Sequence, residues 1–307
     1  MDRSEWFGAS AKVAAYAAAS TLLWGCAASQ PAANEVEVEA TAQAAPTAAP
    51  EASWVSDRVG KSKARMEASE AGKLVWASIE AHGGLQRWFS GGPLGFRFTY
   101  EPQDGKGVRD SYQIVDTWSS KARHKLPSDE TKEFGWDGKR AWATAPDEEL
   151  GIKPRFWSLT PYYFVGVPFV FGDEGVNLKV EGEETFEGKV YDLVRVTFSE
   201  GTGDAPDDFY VLYLDRDTRR VGGVRYVVSY PGFFPEGGHS PEKFMKYDGA
   251  QEVDGVVLPE TFRTFKWTDD APGELVTKAS MTQVSFEPET LAEWFEAPEG
   301  ARIIDGL

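Results

Sequence analysis

The sequence predicts a mostly β protein of the α+β class, built on a single large antiparallel sheet. Three observations carry this expectation. Segments with strand-like, period-two alternation follow one another through most of the chain. Short turn signals separate them. Almost no helical pattern falls between them, which leaves no room for the long crossovers that parallel strands need. The 307 residues are 41% hydrophobic and 13% aromatic, enough for a packed core. Their net charge of −17 repels polyanions, so no nucleic-acid partner is expected. The single cysteine cannot form an intramolecular disulfide. No apolar run reaches the ~18 residues of a membrane-spanning helix.

Residues 13–24 read VAAYAAASTLLW, with Arg3 and Lys12 ahead and Gly25-Cys26 behind, the length and flanks of an export signal. Leu23-Trp24-Gly25-Cys26 resembles the lipobox of bacterial lipoproteins. That resemblance implies cleavage before Cys26, a diacylglycerol on its sulfur and an acylated new amino terminus. Residues 1–25 are therefore read as a signal peptide and Cys26 as the lipidation site. Each buried methylene contributes ~0.8 kcal/mol, so two or more chains hold a protein on a bilayer where one alone releases it. The signal's Asp2 and Glu5 balance Arg3 and Lys12, so the remaining chain keeps the net charge of −17. Residues 27–53 are dominated by Ala, Pro, Gln and Glu, and Pro31, Pro46 and Pro50 interrupt any helix. The stretch 26–53 is expected to be the acylated cysteine plus a flexible tether, spanning roughly 30 Å root-mean-square. Residues 54–307 remain for one folded domain.

That domain opens with a helix expected over 59–81, where Met66, Ala71, Leu74, Val75 and Ile79 recur at helical spacing. His82-Gly83-Gly84 ends it. Strands are expected at 96–100, 111–118, 121–126, 140–144, 190–198, 209–214, 223–230, 244–253, 256–267 and 275–286. Asp137-Gly138, Glu187-Gly188 and Asp254-Gly255 read as hairpin connectors, and 215–219 as a longer polar one. The acidic clusters Asp147-Glu148-Glu149, 181–184 and Asp207-Asp208 read as solvated loops. Residues 154–171, PRFWSLTPYYFVGVPFVF, are too aromatic for a solvent loop and too rich in proline for a continuous helix or strand. A sheet wrapped part-way around has a concave apolar face, and the opening helix and this inserted segment are natural lids for it.

The run Tyr162-Tyr163-Phe164 … Val167-Pro168-Phe169, then Gly175-Val176, Gly188-Lys189-Val190-Tyr191, Val196-Thr197-Phe198 and Tyr213-Leu214-Asp215, resembles an uncharacterised family of bacterial envelope lipoproteins. That family's fold looks like the half-barrel of the lipoprotein-localisation factors LolA and LolB. Val284-Ser285-Phe286-Glu287-Pro288 … Trp294-Phe295-Glu296-Ala297-Pro298 is similar to the closing strand and short helix of such domains. The resemblance covers roughly residues 70–300. It implies a sheet curled into an open half-barrel that holds lipid acyl chains under helical lids. With Cys26, this chain corresponds to the anchored acceptor rather than to the soluble carrier.

Phe156, Trp157, Tyr162, Tyr163, Phe164, Phe169 and Phe171 are the candidate ligand-binding residues, because aromatic rings offer large apolar area and tyrosine hydroxyls can orient a headgroup. Ordinary core packing is the competing reading. Phe233 and Phe234, in the turn Tyr230-Pro231-Gly232-Phe233-Phe234-Pro235, are candidate membrane or partner contacts. The alternative there is that both rings fold back on the rim. His82, His124 and His239 have no second His or Cys at ligand spacing, so no metal site is expected. The sequence also lacks a nucleophile elbow, a phosphate loop and a dinucleotide fingerprint. Neither a cofactor nor a catalytic residue is expected. The reading that follows is an envelope protein, lipid-anchored in the outer membrane and facing the periplasm, that binds or transfers a lipid or lipoprotein acyl chain. Ala27, where inner-membrane retention uses Asp, favours the outer membrane. The alternatives are a non-enzymatic scaffold with a solid core that binds envelope proteins, and an envelope hydrolase.

Overall fold

The computed structural model describes residues 47–203, 205 and 207–304. Cys26, the expected signal peptide and residues 26–46 of the expected tether lie outside the described residues. Helices α1 (Ala52–Glu67), α2 (Glu70–Ala81) and α3 (Gly84–Ser90) come first. Strands β1 (Leu94–Pro102), β2 (Arg109–Val115), β3 (Ala122–Leu126), β4 (Asp129–Trp136) and β5 (Ala141–Ala143) follow. Three short helices, α4 (Asp147–Leu150), α5 (Pro154–Trp157) and α6 (Thr160–Val165), and a 3-10 turn at Phe169–Gly172 separate these from the next strands. The second run is β6 (Val176–Phe186), β7 (Lys189–Phe198), β8 (Tyr210–Asp215), β9 (Val221–Tyr226), β10 (Lys243–Asp248), β11 (Gln251–Val253), β12 (Val256–Leu258), β13 (Thr261–Thr268) and β14 (Ala271–Phe286). A last short strand, β15 (Arg302–Ile304), ends the described chain.

All but β11 and β12 join one 13-stranded sheet in the order β15-β5-β4-β3-β2-β1-β14-β13-β10-β9-β8-β7-β6. Its pairings are antiparallel, as the short connectors predict. Two meanders meet where β14 lies against β1, with Phe98 opposite Met281. Strands β15 and β6 stay at opposite edges, so the sheet curls without closing. Period-two alternation then sends one side of every strand to a single core. Phe96, Phe98, Leu212, Val224, Phe262 and Met281 meet Val55, Met66, Val75, Ile79 and Trp88 of the opening helices there. Burying each such side chain contributes about 1.5–3 kcal/mol. A smaller cluster around Tyr213 and Phe244 covers part of the opposite face.

Several local expectations are corrected. The helix expected over 59–81 begins earlier, at Ala52 inside the stretch 26–53 expected as tether, and is two helices. Ser69 leaves the helical region and its hydroxyl accepts from the Gly72 amide at 3.0 Å, an N-cap that restarts the chain as α2. Gly72 is required, since a Cβ there would stand 2.1 Å from the Met66 carbonyl oxygen. The expected strands 244–253 and 256–267 each split, and β11 and β12 form their own hairpin around Asp254 and Gly255 at φ 50° and 77°. Strand β2 ends at Val115 because the buried Asp116 carboxylate captures the Ser119 amide (2.7 Å) and hydroxyl (2.5 Å) and turns the chain. Residues 181–184 belong to the edge strand β6, where Glu181 accepts from Arg195 (2.9 Å) and Glu183 from Arg216 (2.6 Å). Charges along an edge discourage pairing with another sheet. Asp147, Glu148 and Glu149 lie in α4.

Candidate ligand-binding cavity

Segment 154–172 crosses the concave face as a roof. Pro154 and Pro161 stand at the starts of α5 and α6, where a missing backbone N–H costs nothing, so the prolines that forbid a long helix begin short ones. Six polar ties hold the roof down. Ser158 accepts through its carbonyl from His124 Nε2 at 2.9 Å. The Tyr162 hydroxyl donates to the Thr117 carbonyl at 3.2 Å, and the Tyr247 hydroxyl to the Phe164 carbonyl at 2.9 Å. At the far end, Ser62 and Arg65 of α1 both donate to the Gly172 carbonyl, and Arg58 meets Asp173 at 2.6 Å.

Beneath this roof lies a cavity of about 440 Å³. Its floor is the inward face of β7 to β10: Phe198, Tyr210, Val224, Tyr226, Met245 and Tyr247. Its roof includes Phe156, Leu159, Tyr162, Tyr163, Phe164, Val167, Val170 and Phe171. The β2–β3 loop from Thr117 to Ser120 forms one lip, and Glu174 and Thr202 stand on another. Of its lining, Ser119, Gly138, Tyr163, Glu174 and Gly203 are exposed, so the cavity opens to solvent among them.

Burial sets the electrostatics. Desolvation lowers the pKa of His124 to about 4, so its ring is neutral near pH 7. Because the Ser158 oxygen can only accept, the proton sits on Nε2 and Nδ1 accepts from Ser111 at 3.3 Å. Burial pushes Asp173 above the usual carboxylate range, against the pull of Arg58. It raises Asp208 as well, opposed by hydrogen bonding from Ser229. The hydroxyls of Tyr162, Tyr210, Tyr226 and Tyr247 all titrate above their ordinary value, chiefly through desolvation, and stay neutral.

Of the residues singled out in the sequence, Phe156, Tyr162, Tyr163, Phe164 and Phe171 line this cavity. Trp157 and Phe169 do not. The Trp157 ring packs edge-on to Tyr100 at 5.0 Å beneath the Arg109 guanidinium, beside a separate cavity of about 290 Å³. Phe169 stacks on Trp88 at 4.4 Å and 7° and is 1% exposed, so it anchors the roof to α3. Phe233 is 44% exposed, and its ring leans on Phe156 (4.8 Å) and Tyr230 (5.2 Å) beside the cavity. Phe234 is partly buried, its amide held by the Tyr230 carbonyl at 3.0 Å. His239 is exposed, and no metal-holding cluster of His, Cys, Asp or Glu exists among the described residues. Sequence reasoning missed the floor. Its signal was present as alternation within β9 and β10, where Val224 and Tyr226, then Met245 and Tyr247, share a face.

No protein-family model and no curated protein matches the chain. Solved structures do. A LolA superfamily protein from Nitrosomonas europaea is 8% identical, with 74% of this chain and 97% of that chain covered at a TM-score of 0.48. A DUF1329 family protein from Desulfovibrio piger is 10% identical over the same shares, also at 0.48. A putative outer membrane lipoprotein-sorting protein domain from Vibrio parahaemolyticus is 12% identical, again over 74% and 97%, at 0.47. The open, curled antiparallel sheet with helices over its concave face is the half-barrel architecture that the sequence predicts.

Proposed function

We propose that this chain is a bacterial envelope lipoprotein that binds or transfers a hydrophobic ligand in the cavity beneath segment 154–172. The observation that carries the reading is vacant volume against the concave face: about 440 Å³, open to solvent and lined mainly by aromatic and aliphatic side chains. A solidly packed scaffold leaves no such space. Burial drives binding, because each Å² of apolar surface withdrawn from water contributes ~25 cal/mol. Exchange requires the roof to lift, and its ties at Thr117, Ser158, Phe164 and Gly172 are single hydrogen-bonded positions rather than a continuous ladder. Cys26 supplies the anchor in this reading, and residues 27–46 give the domain reach from the outer membrane into the periplasm. Phe233 and Phe234 are proposed as the contact with membrane or partner, since Phe233 is exposed beside the cavity. No catalytic step, metal or cofactor is invoked. Titration of the purified full chain into cis-parinarate tests the binding. Enhanced fluorescence that a saturated fatty acid displaces is expected; an unaltered probe signal contradicts the proposal.

A further inference from the structure

The size of the cavity and the chemistry of its walls narrow the ligand, given the hydrophobic-ligand reading above. At roughly 30 Å³ for each water- or methylene-sized group, 440 Å³ accepts about fifteen such groups. That is one medium-to-long alkyl chain. Two chains of that length need about twice the space.

The walls determine what kind of chain enters. Tyrosines crowd the interior, and four of their hydroxyls are already engaged. Tyr162 and Tyr247 donate to the Thr117 and Phe164 carbonyls, Tyr210 reaches Asp208 at 3.5 Å, and Tyr226 bonds the Thr264 hydroxyl. The interior therefore presents mainly ring faces and methyls, so a polar group carried deep into it would lose hydration with little compensation. Of the polar lining side chains, Ser119 and Glu174 are exposed and stand at the opening, with Thr202 half-buried. We infer that the cavity is a single-chain site: it takes one alkyl chain of about fifteen carbons from a monoacyl amphiphile, headgroup at the Ser119–Glu174 opening, and excludes diacyl lipids.

Isothermal titration calorimetry tests this with the full chain carrying Cys26→Ser, so that no covalent lipid contributes. The ligands are a series of saturated fatty acids from octanoate to docosanoate, then palmitoyl-lysophosphatidylcholine, then dipalmitoyl-phosphatidylcholine. Affinity should rise about fourfold for each added methylene and level off near tetradecanoate to hexadecanoate. One hexadecanoate or one lysolipid should bind per chain, and the diacyl lipid at least tenfold more weakly. Val224→Phe, which intrudes on the floor, should move the plateau to shorter chains while the far-ultraviolet spectrum stays unchanged. An affinity that climbs through docosanoate, a diacyl lipid that binds as tightly as its lysolipid, or a plateau unmoved in a folded Val224→Phe protein overturns the single-chain assignment and leaves hydrophobic binding standing. Silence across the whole series overturns the hydrophobic-ligand reading itself.

Discussion

Acid should loosen the roof through His124, and the effect can be worked out from its surroundings. The ring is 0% exposed, lies between the Ser158 carbonyl and the Ser111 hydroxyl, and stacks on Phe134 at 4.3 Å. Burial lowers its pKa from 6.5 to about 4, so the folded state resists a proton that the unfolded chain accepts. Such a group contributes stability above the unfolded value and loses it as pH falls from 6.5 toward 4. Integrated to pH 5 the loss is about 2 kcal/mol, a large share of a typical folding free energy of about 5–15 kcal/mol. His82, also held near 4 by burial and edge-on to Phe169 of the same roof at 6.1 Å, adds a loss of the same sign. Asp116, Asp173 and Asp208 work the other way, since burial raises their pKa values and protonation relieves them. The test is therefore a difference. Urea denaturation of wild type and His124→Gln, each at pH 7 and pH 5, isolates the one histidine. The variant should start less stable, having lost packing and a hydrogen bond, and should then lose about 2 kcal/mol less than wild type on acidification. Parallel losses in the two proteins would refute the argument.

Two further outcomes follow from the same geometry and from the amino-terminal motif. Phe169→Ala should cost about 3–5 kcal/mol in chemical denaturation because it leaves a hole against Trp88, whereas Tyr163→Ala, at a position 43% exposed, should cost under about 1 kcal/mol. Cys26→Ser should abolish partitioning into the detergent phase of a phase-separation assay; partitioning like that of wild type would contradict lipidation at this residue.

Much of the fold was legible because it is local. Alternation in Phe96-Arg97-Phe98-Thr99-Tyr100 and hairpin turns such as Glu187-Gly188 are read along the chain, and the structure uses both as written. Strand β6 escaped notice because Glu181, Glu183 and Glu184 mask its apolar positions Val176, Leu178 and Val180, a composition that suits an edge strand and looks like a loop. Strand β4 was hidden in the same way by the charged start DETKE. The helix break at Ser69 turns on one side-chain hydrogen bond against an otherwise continuous helical pattern. Within the cavity, the aromatic segment announced its roof by density alone. Which of its rings face the cavity was not readable, since that depends on α3, whose Trp88 draws Phe169 away, and on Tyr100, which draws Trp157. The floor residues, spread over separate strands from Phe198 to Tyr247, come together only once the sheet curls.

Native mass spectrometry of the full chain carrying Cys26→Ser, purified from its membrane-bearing host without added detergent, measures directly whether the space under the roof is used. A single non-covalent adduct with the mass of a monoacyl lipid, shed on collisional activation, is predicted. A bare chain that stays bare after incubation with a total lipid extract would contradict the account.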